Sequence, residues 1–181
     1  MILEEKKILL KNGKTAVLKS PCAEDAQKML NYVIKACGQT EYLLRYPEEW
    51  NISIEQEESW VNRNRTSPDD LVVTCFVGGE VAGTCGIHFK SELKAAHRAD
   101  VDIAILKEYW NLGIGSAMFE ELIAAARKRG TEIIELEFLE GNERAKGLYE
   151  KFGFRIVCEK PNSIKLKDGT YLKLFYMQKY L

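Results

Sequence analysis

The sequence predicts a mixed α+β fold, in which a mostly antiparallel central sheet contains one parallel pair of strands and is flanked by helices. Two segments of alternating hydrophobicity meet at Asn12-Gly13 and two more at Gly78-Gly79, which is typical of β-hairpins. A helix beginning at Gly113 separates two further strand-like segments, and a strand that follows such a crossover pairs in parallel. The 181 residues, 46% of them hydrophobic, are predicted to form one domain, residues 1–181, with a substantial core.

Alternating apolar residues between turn signals place the strands in order along the chain. Besides the two hairpin turns already named, Asp168-Gly169 marks a tight turn near the carboxyl terminus. The predicted strands cover residues 6–10, 15–19, 71–77, 81–90, 98–105, 133–138, 154–158 and 171–180. No internal repeat or linker interrupts this order.

Capping residues place the helices between those strands. Ser20-Pro21 combines a cap with a first-turn proline, and Ser53 with Gln56 fits a capping box. Gly130 is placed to act as a carboxy-terminal cap. The predicted helices cover residues 23–36, 53–65, 113–129 and 142–152, and the first of them is expected to end at Gly38.

Composition and charge argue against several classes of partner. The net charge is −1 and the basic residues are scattered, so no nucleic-acid surface is predicted. Residues 1–14 lack the apolar core of a signal peptide, and the longest apolar runs are far shorter than a membrane span. We therefore expect a cytoplasmic protein that binds neither nucleic acid nor a membrane.

The cysteines and histidines predict no metal site. The five cysteines are scattered, no two of them at the spacing of a metal-binding pair, and the chain contains only two histidines. Such an odd, scattered set is typical of reduced thiols in a reducing compartment. The cysteines are Cys22, Cys37, Cys75, Cys85 and Cys158, and the histidines are His88 and His97.

The segment from Val101 to Met118 predicts a phosphate-bearing ligand. A strand runs into a short loop, and Gly113 and Gly115 then open an amphipathic helix. The unpaired amides and positive dipole end of a helix start bind phosphate, and a side chain at either glycine would block access to those amides. A dinucleotide-binding module is the alternative, but Met118 replaces its third glycine and antiparallel strands precede the loop.

Two motifs together resemble the GNAT superfamily of N-acetyltransferases. The first is Tyr109-Trp-Asn-Leu-Gly-Ile-Gly115, and the second is Asn142-Glu-Arg-Ala-Lys-Gly-Leu-Tyr-Glu-Lys-Phe-Gly-Phe154, with a strand between them. The resemblance implies a three-layer fold whose fourth and fifth strands form the parallel, splayed pair. It also implies an enzyme that transfers the acetyl group of acetyl-coenzyme A (acetyl-CoA) to an amine, with no metal.

The resemblance further implies where acetyl-CoA binds. Backbone amides from Leu112 through Ser116 would bind the pyrophosphate, and the pantetheine arm would lie along residues 103–105, where that strand splays from residues 133–138. Tyr149 would protonate the leaving thiolate. One departure is Trp110, since the family usually has Gln or Arg at this first loop position. The implied cofactor-binding residues are Ile103, Ala104, Ile105, Leu112, Gly113, Ile114, Gly115, Ser116 and Asn142.

The group that accepts the amine's proton is harder to assign. An amine of pKa near 10 is only about 1% neutral at pH 8, equivalent to roughly 2.7 kcal/mol. Asp100 and Asp102 share one face of their strand, and Asp100 matches the place where many family members carry an acidic residue. We predict that Asp100 rather than Asp102 binds the substrate amine and relays its proton, with a solvated strand carboxylate as the alternative.

Several other candidate residues could have either a functional or a structural role. His88 could act as a base or be structural, and His97 is expected to be solvated. Tyr149 could pack in the core instead of acting as an acid. Asn142 could cap its helix, a role compatible with cofactor contact. A strand amide near Ile105 is predicted to stabilise the charge that develops on the carbonyl oxygen.

The sequence allows more than one class of acetyl acceptor. A small-molecule amine, such as an amino acid, polyamine or antibiotic, is our first expectation. A protein amino terminus, including that of a ribosomal protein, and a non-catalytic regulator that binds coenzyme A are the alternatives. The aromatic segment 39–51 either anchors itself to the core or forms a wall of the substrate pocket. The carboxy-terminal strand, 171–181, either completes the sheet or offers the edge of a homodimer.

Overall fold

The computed structural model describes residues 1–181, and it contains the predicted alternation of strands and helices. In chain order the elements are β1 (Lys6–Leu9), β2 (Thr15–Lys19), α1 (Ala26–Gln39), α2 (Ile54–Thr66), β3 (Asp70–Val77), β4 (Glu80–Phe89), β5 (Arg98–Ile105), α3 (Ile114–Arg129), β6 (Ile133–Leu139), α4 (Glu143–Lys151), β7 (Arg155–Lys165) and β8 (Tyr171–Tyr180). None of the helices is long and apolar enough to span a lipid bilayer.

All eight strands form one sheet in the order β1-β2-β3-β4-β5-β6-β8-β7. The pair β5–β6 is parallel and every other neighbouring pair is antiparallel, which confirms the predicted mixed sheet. The numbering of the parallel pair was wrong, because the pair is the fifth and sixth strands and not the fourth and fifth. The two strands of the Asn12-Gly13 hairpin precede α1, so the parallel strands are the fifth and sixth when strands are counted from the amino terminus.

The parallel pair separates soon after it begins. Residue pairing between β5 and β6 is limited to Arg98 with Ile133, Ala99 with Ile134 and Asp100 with Glu135. Both strands continue beyond Asp100 and Glu135 without pairing to one another. A cleft therefore opens in the middle of the sheet, and this confirms the predicted splay.

Helices cover both faces of the sheet and give three layers. On one face, Val101 of β5 and Leu136 of β6 belong to a 25-residue core that includes Phe119 of α3 and Tyr149 of α4. The opposite face packs against α1 and α2 through a smaller cluster that includes Tyr32. Successive residues of β5 and β6 therefore alternate between an α3–α4 face and an α1–α2 face.

The predicted boundaries of α1 were wrong at both ends. Ser20 does not cap the helix, because its hydroxyl donates a hydrogen bond to the Val72 carbonyl at 2.8 Å. A short 3-10 turn, Ala23–Asp25, comes first and α1 begins at Ala26. At the other end, Gly38 lies inside the last turn and the helix ends at Gln39.

Other predicted ends are confirmed. Ser53 forms the capping box of α2 with Gln56, and Gly130 ends α3 in the left-handed conformation with a φ of 77°.

The strand β8 lies between β6 and β7, so the carboxy-terminal strand completes the sheet and β7 forms its edge. The strand β7 is longer than the predicted 154–158, since it extends to Lys165.

Candidate active site

The separation of β5 from β6 opens a cleft of about 1250 Å³. Its walls come from β5, β6, the loop before α3, α4 and the segment that follows α1. Among the predicted site residues, Asp100, Ile103, Ala104, Ile105, Gly113, Ile114, Gly115, Ser116, Asn142 and Tyr149 all line this cleft. Leu112 does not line it; this residue packs against the core, and its carbonyl accepts a hydrogen bond from the Lys11 amide at 3.1 Å.

The loop before α3 has the geometry of a phosphate-binding helix start. Gly113 caps the helix with a φ of 97°, a left-handed conformation that glycine adopts without strain, and the space beside it is open. The first amides of α3 have no partner within the helix and no acidic side chain follows in the first turn. Lys151 donates to the Ser116 hydroxyl at 2.7 Å and adds a positive charge. These features fit the pyrophosphate of acetyl-CoA.

Trp110 connects this loop to its two neighbours. Its indole N–H donates to the Ile105 carbonyl at 2.6 Å, at the end of β5. The Arg144 guanidinium of α4 lies 4.1 Å from the centroid of the Trp110 ring and donates to the Asn111 side chain at 3.0 Å. Trp110 therefore replaces the polar side chain usual in the family with a residue that fixes the loop between β5 and α4.

The backbone of β5 presents amides to the cleft. Ala104 turns its carbonyl toward β4, where it accepts a hydrogen bond from the Tyr32 hydroxyl at 2.7 Å. Ile105 turns to the opposite side, where Trp110 occupies its carbonyl. Because the polar groups of a strand alternate in direction, the amides of Ile103 and Ile105 point toward the side that β6 has left. This is where the predicted oxyanion donor near Ile105 should lie.

Tyr149 belongs to both the core and the cleft. Its ring packs against Phe119, Phe138 and Phe154, with centroid distances of 5.6, 6.0 and 6.2 Å, and the residue is 6% exposed. Burial, and secondly the negative charge of Asp102, raise the pKa of the Tyr149 hydroxyl well above its usual range. The phenol therefore stays protonated at neutral pH and can donate a proton into the cleft.

Asn142 immediately precedes α4 and caps this helix. Its side-chain oxygen accepts a hydrogen bond from the Ala145 amide at 3.3 Å, so the capping interpretation is confirmed. The residue also lines the cleft, and its contact with the cofactor stays a prediction.

Charged side chains cover the α1–α2 face of β5 and β6 beside the cleft. Asp100 forms an ion pair with Lys90. Glu135, only 1% exposed, accepts hydrogen bonds from Arg98 at 2.7 Å and from Gln178 at 2.6 Å. Each of these two carboxylates is thus matched by a cation, and a buried charge such as that of Glu135 requires such a partner.

His88 connects two other carboxylates and does not line the cleft. Its Nε2 lies 2.9 Å from an oxygen of Asp102, and its Nδ1 lies 2.6 Å from an oxygen of Asp70. The hydrogen bond to Asp102, reinforced by the one to Asp70, raises the pKa of His88 to about 9 against the cost of burial. His88 is therefore an imidazolium at neutral pH, which favours the structural interpretation over the base. No group of three or more potential ligands is arranged to bind a metal ion.

Glu137 is the carboxylate that the sequence analysis missed. It is exposed, lines the cleft and takes part in none of the ion pairs of this face. It follows Glu135 by two residues, so both side chains lie on the same face of β6. The alternation of residues 133–139 could have placed Glu137 on the same face as Glu135. Only the divergence of β5 and β6, which the sequence does not locate, places Glu137 at the cleft.

The aromatic segment 39–51 is anchored to distant residues and also borders the cleft, while its contact with a substrate stays a prediction. The Tyr42 hydroxyl donates to the Gly141 carbonyl at 2.9 Å, and the Lys167 amide donates to the Tyr46 hydroxyl at 3.1 Å. Tyr42 and Leu43 also line the cleft. The segment is thus anchored to the carboxy-terminal half of the chain and forms a wall of the cleft.

Comparison with known sequences agrees with this geometry. The profile of the acetyltransferase (GNAT) family matches residues 36–154. The L-amino acid N-acetyltransferase AaaT of Escherichia coli is 26% identical over 122 residues, which are 67% of this chain and 75% of that protein. The ribosomal protein bS18-alanine N-acetyltransferase of Escherichia coli is 35% identical over 68 residues, which are 38% of this chain and 46% of that protein.

Solved structures share the fold at low sequence identity. A GNAT acetyltransferase of Streptococcus pneumoniae superimposes with a TM-score of 0.85 at 24% identity, over 92% of this chain and 99% of that one. The yncA protein of Salmonella typhimurium, whose structure contains its cofactor acetyl-CoA, gives a TM-score of 0.78 at 17% identity, over 92% and 94% of the two chains. Together with the family profile and the curated relatives, they show that the chain belongs to the acetyltransferase (GNAT) family and is an acetyl-CoA-dependent N-acetyltransferase.

Proposed function

We propose that the protein transfers the acetyl group of acetyl-CoA directly to the primary amine of a small molecule. The observation that carries this proposal is the two-sided cleft. One side presents strand amides and the Tyr149 hydroxyl, whereas the other presents the carboxylates of β5 and β6. The first side suits a thioester and the second suits an ammonium group, and the two meet where the strands separate.

On the cofactor side, each part of acetyl-CoA has a group that fits it. The pyrophosphate would lie against the amides of residues 114–116, with Lys151 nearby. The pantetheine arm would follow residues 103–105, where strand amides face the cleft. This arrangement leads the thioester toward the Ile105 amide and Tyr149, both of which line the cleft.

The transfer needs three tasks from the protein. The amine attacks the thioester carbonyl, a C–N bond forms and the C–S bond breaks, while the Ile105 amide stabilises the oxyanion. Tyr149 gives its proton to the leaving thiolate, and the second proton lost by the attacking nitrogen restores the Tyr149 hydroxyl. Asp100 is the proposed carboxylate that binds the acceptor ammonium and passes its proton to water. Alignment of the reactants in the cleft contributes up to about 7–11 kcal/mol in favourable cases.

Two features support a small acceptor. The segment 39–51 forms a wall of the cleft through Tyr42 and Leu43, and the Tyr42 bond to Gly141 connects this wall to the loop before α4. A cleft walled on this side suits a small acceptor better than an extended polypeptide. The relative that aligns with most of the chain acts on L-amino acids. The shorter match to a ribosomal-protein acetyltransferase favours a peptide amino terminus as the second candidate.

Thiol release from acetyl-CoA across a panel of amines tests the proposal. The panel contains amino acids, polyamines, aminoglycosides and short peptides with free amino termini, with a no-amine reaction as background. We expect release above background with a small amine. Release with peptides alone would replace the small molecule by a protein amino terminus, and silence across the panel would favour a regulator that binds coenzyme A without catalysis.

A further inference from the structure

We propose that Asp102 binds the ammonium group of the acceptor, and that His88 and Asp70 are positioning residues that orient its carboxylate. The inference rests on the proposed function, because an acceptor amine must bind in the cleft. It names a residue that determines specificity and states that the acceptor binds as a cation. It adds to Asp100 a second carboxylate on the same face of β5, one that is coupled to side chains outside the cleft.

The position of Asp102 is set by the point at which the strands separate. Asp100 and Glu135 are the last paired residues of β5 and β6, and Asp102 and Glu137 each follow by two residues. Asp102 and Glu137 therefore lie on the same face of the sheet, on opposite sides of the opening. Both line the cleft, and the Asp102 side chain is 67% exposed. An ammonium group that enters the opening from this face meets these two carboxylates.

A chain of hydrogen bonds holds the Asp102 carboxylate in place. One oxygen of Asp102 contacts Nε2 of His88, and Nδ1 of His88 contacts Asp70, which in turn accepts a hydrogen bond from the Ser67 hydroxyl at 2.5 Å. The imidazole is thus fixed at both nitrogens. Side chains fixed in this way orient a binding group better than a free surface carboxylate does.

Gly86 provides the space that this contact needs. It is the residue of β4 directly opposite Asp102. A Cβ atom at position 86 would lie 2.9 Å from the Asp102 oxygen and 2.9 Å from Nε2 of His88, too close for either. Its role is therefore steric and independent of charge, which makes position 86 a second means of breaking the same contact.

Asp102 has a carboxylate oxygen available for a further cation. Asp100 is matched by Lys90 and Glu135 by Arg98, one cation to each. Asp70 lies beside two cations, His88 and the amino terminus of Met1, whose ammonium donates to the Asp70 carbonyl at 2.7 Å. Across the sheet, the residue opposite His88 is Asp100, already paired. Only one oxygen of Asp102 contacts His88 and the side chain is 67% exposed, so the other oxygen can bind a protonated primary amine.

Steady-state kinetics with the acceptor found in the panel tests the proposal. We expect Asp102→Asn to raise the acceptor KM roughly tenfold, since one charged hydrogen bond at a partly exposed site is lost. His88→Gln and Gly86→Ala should raise it severalfold, and all three should leave the KM for acetyl-CoA unchanged. His97→Gln is the matched control and should change neither. An unchanged acceptor KM in Asp102→Asn, with acetylation intact, would overturn the inference and leave the proposed function standing.

An NMR titration of the His88 imidazole tests the chain without any acceptor. The pKa of His88, raised to about 9, should fall toward its ordinary value of about 6.5 in Asp102→Asn and Gly86→Ala, because the contact is lost. An unchanged pKa in both variants would overturn the inference whatever the panel shows. Silence across the amine panel would remove the proposed function, and the ammonium site with it, even if the titration behaves as expected.

Discussion

At the scale of single residues, Tyr149 combines core packing with the position proposed for the general acid. Its ring is part of the aromatic core around Phe119, while the residue lines the cleft. The same burial that stabilises the ring keeps the hydroxyl protonated, because the phenolate would be poorly solvated there. A general acid needs its proton at neutral pH, so core packing is compatible with the role proposed for Tyr149.

Tyr149→Phe should therefore lower turnover and leave the binding of acetyl-CoA intact. Loss of a general acid costs about 100-fold or more in kcat, whereas the phenylalanine ring preserves the packing. Steady-state kinetics measures kcat and the KM for acetyl-CoA, with Tyr171→Phe at the exposed end of β8 as the control. Unchanged turnover would remove Tyr149 from the mechanism.

The sequence could propose Tyr149 and Asn142 as candidates because the motif that resembles the family has a fixed spacing on one short helix. It could not identify Glu137 or the Asp102–His88–Asp70 chain, for a physical reason. Asp70 and His88 are 18 residues apart and meet through the pairing of β3 with β4, and such contacts are invisible to local patterns. The ion pair of Lys90 with Asp100 was missed for the same reason. Because of this pair, an acceptor ammonium at Asp100 would have to share the carboxylate with Lys90.

At the scale of elements, the loop before α3 owes its position to Trp110 as much as to its glycines. The indole N–H bonds to the end of β5, and the ring stacks under Arg144 of α4. Glycine at position 113 permits the turn, but it does not fix the loop relative to the strand that presents amides to the cleft. The tryptophan couples these two parts of the cofactor side.

Trp110→Phe should weaken the binding of acetyl-CoA while the stacking on Arg144 remains. The Ile105 carbonyl loses its donor, and one hydrogen bond of this kind corresponds to about a 2- to 10-fold change in KM. Trp50→Phe is the matched control, since the Trp50 indole donates to the Cys37 sulfur away from the loop. Equal effects of the two substitutions would show that the Trp110 contact has no specific role.

Element boundaries were predicted well where a local signal sets them and poorly elsewhere. The capping box at Ser53 depends on two nearby residues and was correct. Ser20 has the sequence of a cap, but its hydroxyl bonds across to β3, a contact 52 residues away. The strand β7 continues past the proline at position 161 because it lies at the sheet edge and its register shifts between Lys160 and Ile164.

At the scale of the whole molecule, His88 links stability to pH. Its folded-state pKa is raised to about 9, above the ordinary value of about 6.5 expected in the unfolded chain. Its contribution to the free energy of unfolding is therefore complete below pH 6.5 and is lost as the pH rises toward 9. Asp70, whose pKa is lowered chiefly by hydrogen bonds to Ser67 and His88 that outweigh its burial, contributes only above the acidic range.

Urea unfolding of the wild type and of His88→Gln at pH 6, 7.5 and 9 measures this linkage. We expect the difference in the free energy of unfolding between the two proteins to be largest at pH 6 and smallest at pH 9. The His97→Gln variant provides the baseline for the loss of a histidine elsewhere. A difference that stays constant over this range would contradict the assigned ion pairs.

The global topology was predictable only in part. The alternation of strands and the crossover helix α3 predicted the parallel pair β5–β6. A helix between two strands does not by itself decide the pairing, because α1 and α2 lie between β2 and β3, which are antiparallel neighbours. The insertion of β8 between β6 and β7 was left open, since the interior and edge positions of Tyr171–Tyr180 differ only in long-range partners.

The contacts of the segment 39–51 have a consequence for how the protein forms during synthesis. Tyr42 bonds to a residue 99 positions later, and Tyr46 to one 121 positions later. A nascent chain emerges from its amino terminus onward, so these two bonds cannot form until Gly141 and then Lys167 have left the ribosome. This wall of the cleft is thus fastened among the last steps, after β5, α3 and β6 have been made, and a chain truncated before Gly141 would lack both bonds.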